Sequence, residues 1–155
     1  MKAAIALVLL IAFAPWVAHA RNCQIDASPV VFGDYRQGAA NSTDSRGVIT
    51  VNCSGNGIVV LVISLNAGTN ASGRFNRRLR FLGSFLAYQL YTDQAHTTVW
   101  GDGTAGTVTV QDTFPCIPPC NRIIRAFEVY GSIPGLQQPR PGVYLDTITA
   151  TVVFN

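Results

Sequence analysis

The chain has few side chains of the types used in catalysis, and their spacing matches no known catalytic motif. Its 155 residues hold two histidines and eight acidic residues. His96 has neither a glycine-flanked serine nor a cysteine nucleophile near it, so a catalytic triad is unsupported and we expect an exposed loop histidine. Asp102 and Asp146 are candidates for a glycosidase pair, because that chemistry needs two carboxylates. We expect instead that Asp102, between glycines, stabilises a turn, and that Asp146 marks a bulge or a strand start. Calcium-loop spacing of acidic residues is absent.

Charge and composition narrow the class of protein further. Apolar residues make up 48% of the chain and charged residues 12%, which excludes a disordered, highly charged chain. The net charge of +3 is small for a nucleic-acid binder, and no RNA-binding motif is present. The one cluster of cations comprises Arg74, Arg77, Arg78 and Arg80. It predicts a solvated loop or strand edge whose charges deter edge pairing, with an anion or glycan contact as the alternative.

Residues 1–20 have the pattern of a cleaved signal peptide. Lys2 provides the positive start, residues 3–14 are apolar, and Ala18-His19-Ala20 is a small-x-small cleavage site. The alternative is a membrane anchor, which needs about 20 apolar residues, and Pro15 interrupts the stretch before that length. We therefore expect cleavage after Ala20, an exported mature domain at 21–155 and no membrane span within it.

Export determines what the four cysteines do. Cys23, Cys53, Cys116 and Cys120 are an even set in an oxidising compartment, which indicates two disulfides with three formal pairings. The close spacing of Cys116 and Cys120 favours a local bridge, leaving Cys23 to pair with Cys53. A four-thiolate zinc site is the alternative, but paired Cys-x-x-Cys knuckles are missing. No metal or other cofactor is expected.

The elements that position these residues are predicted to be strands. Short apolar or alternating segments are separated by glycine-, asparagine- and proline-rich turns, and no helical period is sustained. The predicted strands are 28–35, 46–53, 58–65, 86–92, 106–111, 122–130 and 147–155. Residues 58–65 are nearly all apolar and β-branched, which predicts a strand buried on both faces. The spacing predicts an all-β antiparallel sandwich, with Tyr88, Tyr91 and Trp100 in its core rather than on an adhesive aromatic surface.

The last strand carries the clearest alternation. Its apolar side chains point one way with a period of two, and threonines point the other. The core-facing set is Ile148, Ala150, Val152 and Phe154, followed by Asn155. A sandwich that ends on an inward-facing strand leaves the next position of its sheet empty and exposes a long edge.

Seven blocks of sequence, in order, resemble the spore coat protein U domain family and cover nearly all of residues 23–154. They are Cys23-x-Ile25, Val31-Phe32-Gly33-x-Tyr35, Gly47-x-Ile49-x-Val51-x-Cys53, Leu86-x-Tyr88-x-Leu90-Tyr91-x-Asp93, Val99-Trp100-Gly101-Asp102-Gly103, Tyr130-Gly131-x-Ile133-Pro134 and Gly142-x-Tyr144-x-Asp146-Thr147-Ile148. The family includes subunits of archaic, Csu-type chaperone–usher pili of Gram-negative bacteria.

The resemblance implies an immunoglobulin-like sandwich lacking its last strand. It implies that a periplasmic chaperone, and later a neighbouring subunit, adds a strand beside residues 148–155 by β-augmentation. An outer-membrane usher is the implied assembly partner, and the family disulfide corresponds to Cys23–Cys53. The Cys116–Cys120 insertion is less typical of the family.

Two functions follow as expectations. After cleavage at Ala20, only Arg21 and Asn22 precede Cys23, whereas a polymerising subunit of this family has a longer donor segment there. The first expectation is therefore an adhesive pilus subunit at the tip of a fibre, acting in surface attachment and biofilm formation. The alternative is a freestanding secreted coat or matrix domain whose groove is filled by its own chain. A small secreted hydrolase using Asp102 and Asp146 is a third hypothesis.

Overall fold

The computed structural model describes residues 21–117, 120 and 122–155, and the predicted signal peptide lies outside them. These residues form nine strands and no helix, so none of them belongs to a helix able to cross a membrane. The strands are β1 Asn22–Ala27, β2 Thr43–Ser54, β3 Gly57–Leu65, β4 Arg78–Phe81, β5 Ser84–Ala87, β6 Gln89–Tyr91, β7 Val110–Cys116, β8 Ile123–Ile133 and β9 Ala150–Phe154.

The strands form an antiparallel, immunoglobulin-like sandwich, which confirms the predicted fold class. One sheet has the order β1-β2-β8-β6 and the other has the order β7-β3-β9. Strands β4 and β5 form a separate hairpin, whose Arg80 exchanges two backbone hydrogen bonds with Leu145. Strands β1 and β9 are therefore each paired on one side only within the described residues.

Alternating apolar residues on β2 place the core between the sheets. Ile49, Val51 and Cys53 are buried, whereas the residues between them are half-exposed on the outer face. Strand β1 pairs with β2 so that Cys23 lies directly opposite Cys53, and these two residues form a disulfide. Cys116, at the end of β7, is bonded to Cys120.

The prediction that β3 is buried on both faces is wrong for the described chain. Val59, Leu61, Ile63 and Leu65 are buried, but the alternate residues are half-exposed and Ile58 is 61% exposed. The second sheet has only its inner face covered, so an apolar side chain on the outer face keeps contact with solvent.

Three of the predicted strands differ from the strands in the structure, because tertiary packing changes where they pair. Residues 28–35 form no strand, and the ladder to β2 is made by β1 instead. The predicted strand 86–92 is divided at Tyr88 into β5 and β6, which belong to different sheets. The strand predicted at 106–111 begins at Val110 and continues to Cys116.

Two of the aromatic residues lie in the core as predicted. Trp100 is fully buried and its indole N–H donates to the Ile63 carbonyl at 3.1 Å. Tyr88 is 6% exposed. Tyr91 instead lies half-buried on the outer face of the first sheet, opposite Tyr130.

Candidate functional site

An open groove runs between the two sheets where β1 and β9 leave their edges unpaired. It consists of two connected cavities of about 760 and 380 Å³ that share Pro29, Val30, Phe32, Leu79 and Asp146 in their linings. One wall is the segment 27–35 and the other is the segment 139–150. Its apolar floor comprises Ile49, Leu65, Leu79, Tyr88, Leu90 and Val129. The walls and floor together enclose a mainly apolar slot that reaches β9 at its first residue, Ala150.

Glycines on two neighbouring strands position the first wall. A Cβ atom on Gly47 would lie 2.8 Å from the Ser28 carbonyl oxygen, and one on Gly131 would lie 2.7 Å from Val30 Cγ1. The absence of side chains there lets the segment 28–32 cross close over the inner face of the sheet, with the Phe32 ring 5.9 Å from that of Tyr88. This crossing is why residues 28–35 leave the β ladder, despite their apolar pattern.

Backbone hydrogen bonds on one side only hold the second wall. The carbonyls of Leu145, Thr147 and Thr149 accept from Arg80, Thr69 and Asn66 respectively. Successive residues of an extended chain turn their peptide groups to opposite sides. The peptide groups of Ile148 and Ala150 therefore face the open edge, where an added strand would pair.

The side chains expected to contact an added strand are placed as follows. Ile148, Ala150 and Val152 are half-buried and pack against the core. Phe154 lies opposite the buried Leu61, so its side chain is on the predicted core-facing side of β9, although it is 37% exposed. The side-chain oxygen of Asn155 accepts from the Val60 N–H at 3.0 Å. The exposure of Phe154 fits its position as the last residue of β9.

Asp146 ties the second wall to the floor. One carboxylate oxygen accepts from the Thr69 hydroxyl at 2.9 Å, the Asn70 backbone N–H at 3.1 Å and the Asn70 side-chain amide at 3.0 Å. The other accepts from the Tyr88 hydroxyl at 2.7 Å. Burial, together with this hydrogen bond, raises the pKa of Tyr88 well above its ordinary value, so the hydroxyl stays protonated and donates. Asp146 is thus a structural acceptor, and its place near Tyr88 was not predicted from the sequence.

The arginine cluster divides into one buried and several exposed residues. Arg77 is only 1% exposed, so the prediction of a solvated cluster is wrong at this position. Its guanidinium donates to the Asn66 carbonyl at 2.7 Å and to the Trp100 carbonyl at 2.9 Å. Burial lowers the pKa of Arg77 from its ordinary value. Arg74 and Arg80 are exposed, as predicted. Arg77 joins the ends of three segments beside the groove, a role that residue type and spacing do not reveal.

The candidate catalytic carboxylates have separate sets of hydrogen-bond partners. The carboxylate of Asp102 accepts from the backbone and the hydroxyl of Thr104, which is the predicted turn role. His96 is half-buried rather than exposed, because its turn places the imidazole 5.0 Å from the Tyr91 ring. Within residues 21–117, 120 and 122–155, no group of three or more His, Cys, Asp or Glu side chains is placed to hold a metal ion.

The carboxylates of two turn residues predict how the stability of the fold depends on pH. Hydrogen bonds from Thr97, first from its backbone N–H, hold the pKa of Asp93 below its ordinary value, and hydrogen bonds from Thr104 do the same for Asp102. A carboxyl whose pKa is lowered by folding stabilises the fold above its unfolded pKa, and that contribution is lost as pH falls through the folded pKa. We expect the melting temperature to fall below about pH 4.

Thermal unfolding followed from neutral pH downward checks this, with Asp93→Asn as the comparison. The asparagine keeps the size of the side chain but does not titrate, so its curve should be flatter in the acid range. An identical acid dependence in both proteins would contradict the role given to Asp93.

Comparison with known proteins identifies a protein family and a solved structure with a similar fold. The family model of the Spore Coat Protein U domain matches residues 10–151. No curated protein sequence matches the chain. The chain is similar to a chain in the crystal structure of the CsuC–CsuE chaperone–tip adhesion subunit pre-assembly complex from archaic chaperone–usher Csu pili of Acinetobacter baumannii. The TM-score is 0.57 at 20% identity, and the match covers 86% of this chain and 40% of that one, so the likeness concerns the fold.

Proposed function

Because the chain belongs to the Spore Coat Protein U domain family, we propose that it is a secreted structural and adhesive subunit of a chaperone–usher pilus. The observation that carries the proposal is the open apolar groove, which meets the unpaired edge of β9 at Ala150. An added strand would satisfy the outward peptide groups of Ile148 and Ala150, while its alternate side chains would fill the cavities. The mechanism is donor-strand complementation rather than catalysis.

The proposed partners occupy the groove in turn. A periplasmic chaperone inserts a strand first, and a strand from a neighbouring subunit replaces it at an outer-membrane usher. The contact residues are Ile148, Ala150 and Val152, with Phe154 and Asn155 at the end of the strand. The protein would pass through the periplasm and act at the cell surface, in attachment and biofilm formation.

The position at the fibre tip is part of the proposal. Residues from Asn22 onward belong to β1, and Cys23 is bonded to Cys53, so they are not free to extend into another subunit. Cleavage after Ala20 would leave only Arg21 before this strand. N-terminal sequencing of the exported protein tests the point, because cleavage many residues earlier would restore a donor segment.

A freestanding coat or matrix domain is the second candidate, and one observation favours it. The chain lays its own Val30 and Phe32 against Gly131, so part of the space between the sheets is filled by the chain itself. A domain closed in this way would need no chaperone.

Periplasmic expression with and without a cognate chaperone distinguishes the two candidates. For a pilus subunit we expect chaperone-dependent solubility and a one-to-one complex. Val152→Asp should abolish recovery of the complex, because it places a charge on the half-buried core-facing side of β9. Thr151→Asp, on the exposed side of the same strand, is the matched control and should retain it. A stable, cooperative monomer made without chaperone would favour the freestanding domain instead.

A further inference from the structure

The outer face of the β7-β3-β9 sheet is uncharged, and its centre is apolar. Strand β3 turns Ile58, Val60 and Val62 outward, between the buried residues of the same strand, and β9 adds Val153. Ile58 and Val153 are 61% and 62% exposed. The other outward residues of these strands are neutral: Ser64, Gln111, Thr113, Pro115 and Thr151. We name these nine residues the uncharged face.

The outer face of the β1-β2-β8-β6 sheet is charged and solvated, and provides a comparison with the uncharged face. It carries Asp26, Asp44, Arg46 and Glu128, all exposed, and the last two form an ion pair at 3.7 Å. The uncharged face has no such residue among the described strands. A strand that is apolar on both sides is typical of a sheet covered on both sides, so the sequence of β3 fits a state in which the uncharged face is covered.

We propose that the uncharged face is a homotypic docking surface, on which a second copy of this chain packs face to face. A charged partner surface would lose its hydration there without gaining a counter-charge. Two sheets pack face to face about 10 Å apart, with interdigitated side chains. The uncharged face of a second copy meets both requirements.

The area of the face sets the strength of the contact. Strands β3, β7 and β9 have 9, 7 and 5 residues. At about 3.4 Å per residue and about 4.8 Å between strands, they cover roughly 350 Å² per copy. The total of about 700 Å² is below the roughly 1,200–2,000 Å² of a stable interface. Isolated copies therefore pair weakly, and copies held close together on one cell surface pair more strongly through multivalency. The contact uses the outer side chains of β9 rather than its open edge, so it stands apart from the proposed strand exchange.

Sedimentation velocity of the protein in whichever form is recovered from the periplasm, alone or with the chaperone, tests the proposal from micromolar to near-millimolar concentration. We expect a reversible monomer–dimer equilibrium in the unmodified protein. The double variant Val62→Thr/Val153→Thr keeps β-branched side chains but buries hydroxyls without partners, and should weaken the dimer by about tenfold or more. Val48→Thr makes the same change on the outer face of the other sheet and should leave the dimer unchanged.

A cross-linking variant decides the case even if the double variant does not fold. All four cysteines are in disulfides, so Val62→Cys adds a free thiol at the centre of the uncharged face. It should form a disulfide-linked dimer under oxidation, and Val48→Cys should not. A purely monomeric unmodified protein, an undiminished dimer in a folded Val62→Thr/Val153→Thr variant, or equal cross-linking of the two cysteine variants would each overturn the proposal. The same variants should still bind the chaperone. A failure of the docking proposal would therefore be distinguishable from a failure of the proposed pilus function.

Discussion

Replacing Asp146 with alanine is expected to lower the free energy of unfolding by about 3–5 kcal/mol. The substitution removes the acceptor of four hydrogen bonds, and one of their donors is the hydroxyl of the buried Tyr88. A buried donor left without a partner loses its hydration and gains nothing in return. Because these bonds connect the second wall of the groove to its floor, the same variant should also lose capacity to accept an added strand.

Asp102→Ala is the matched control for this prediction. It removes a carboxylate of the same kind, but an exposed one that accepts only within its own turn. Its loss of stability should be much smaller. Denaturant unfolding of both variants, in whichever form of the protein is recovered from the periplasm, provides the comparison. Equal destabilisation would mean that Asp146 contributes no more to the stability of the fold than a turn residue. Glycan hydrolysis by the unmodified protein that either substitution abolishes would revive the hydrolase hypothesis.

Loss of the Cys23–Cys53 disulfide, by paired replacement with alanine, is expected to destabilise the fold by about 3–4 kcal/mol. The bridge closes a loop with a sequence separation of 30 residues, and it joins β1 to the rest of its sheet. Without it, the unfolded chain gains conformational freedom and β1 loses its covalent link to β2.

The second disulfide is the internal control. Cys116 and Cys120 are separated by only four positions, so the chain-entropy model assigns their bridge about 2 kcal/mol. Thermal unfolding of the two paired-alanine variants under oxidising conditions should rank them in this order. A larger loss from the Cys116–Cys120 pair would show that the local loop, rather than the link between β1 and β2, governs stability.

Local pattern alone was sufficient for much of this fold. A period of two on 46–53 identifies β2, because one face of that strand is buried and the other is half-exposed. The all-β class follows from turn residues between short apolar segments, and the spacing of four cysteines favours the two bridges that the structure contains. These features depend on neighbours in sequence or on one face of one strand, so the residues themselves carry the information.

The groove depended on contacts between distant segments. Residues 28–35 have a strand-like pattern, yet they form a wall instead, because Gly47 and Gly131 on two other strands admit them over the sheet. Arg77 looks like part of a solvated cluster until carbonyls of Asn66 and Trp100 are brought to its guanidinium.

The sequence by itself determined the class of fold, the core-facing side of most strands and the inward-facing row at Ile148, Ala150 and Val152. The tertiary structure alone decided which segment completes the first sheet, which polar side chains are buried and where the sandwich stays open. The physical reason is that hydrogen bonding and burial at these places depend on partners far away in the chain. The local sequence pattern does not specify which distant segment provides them.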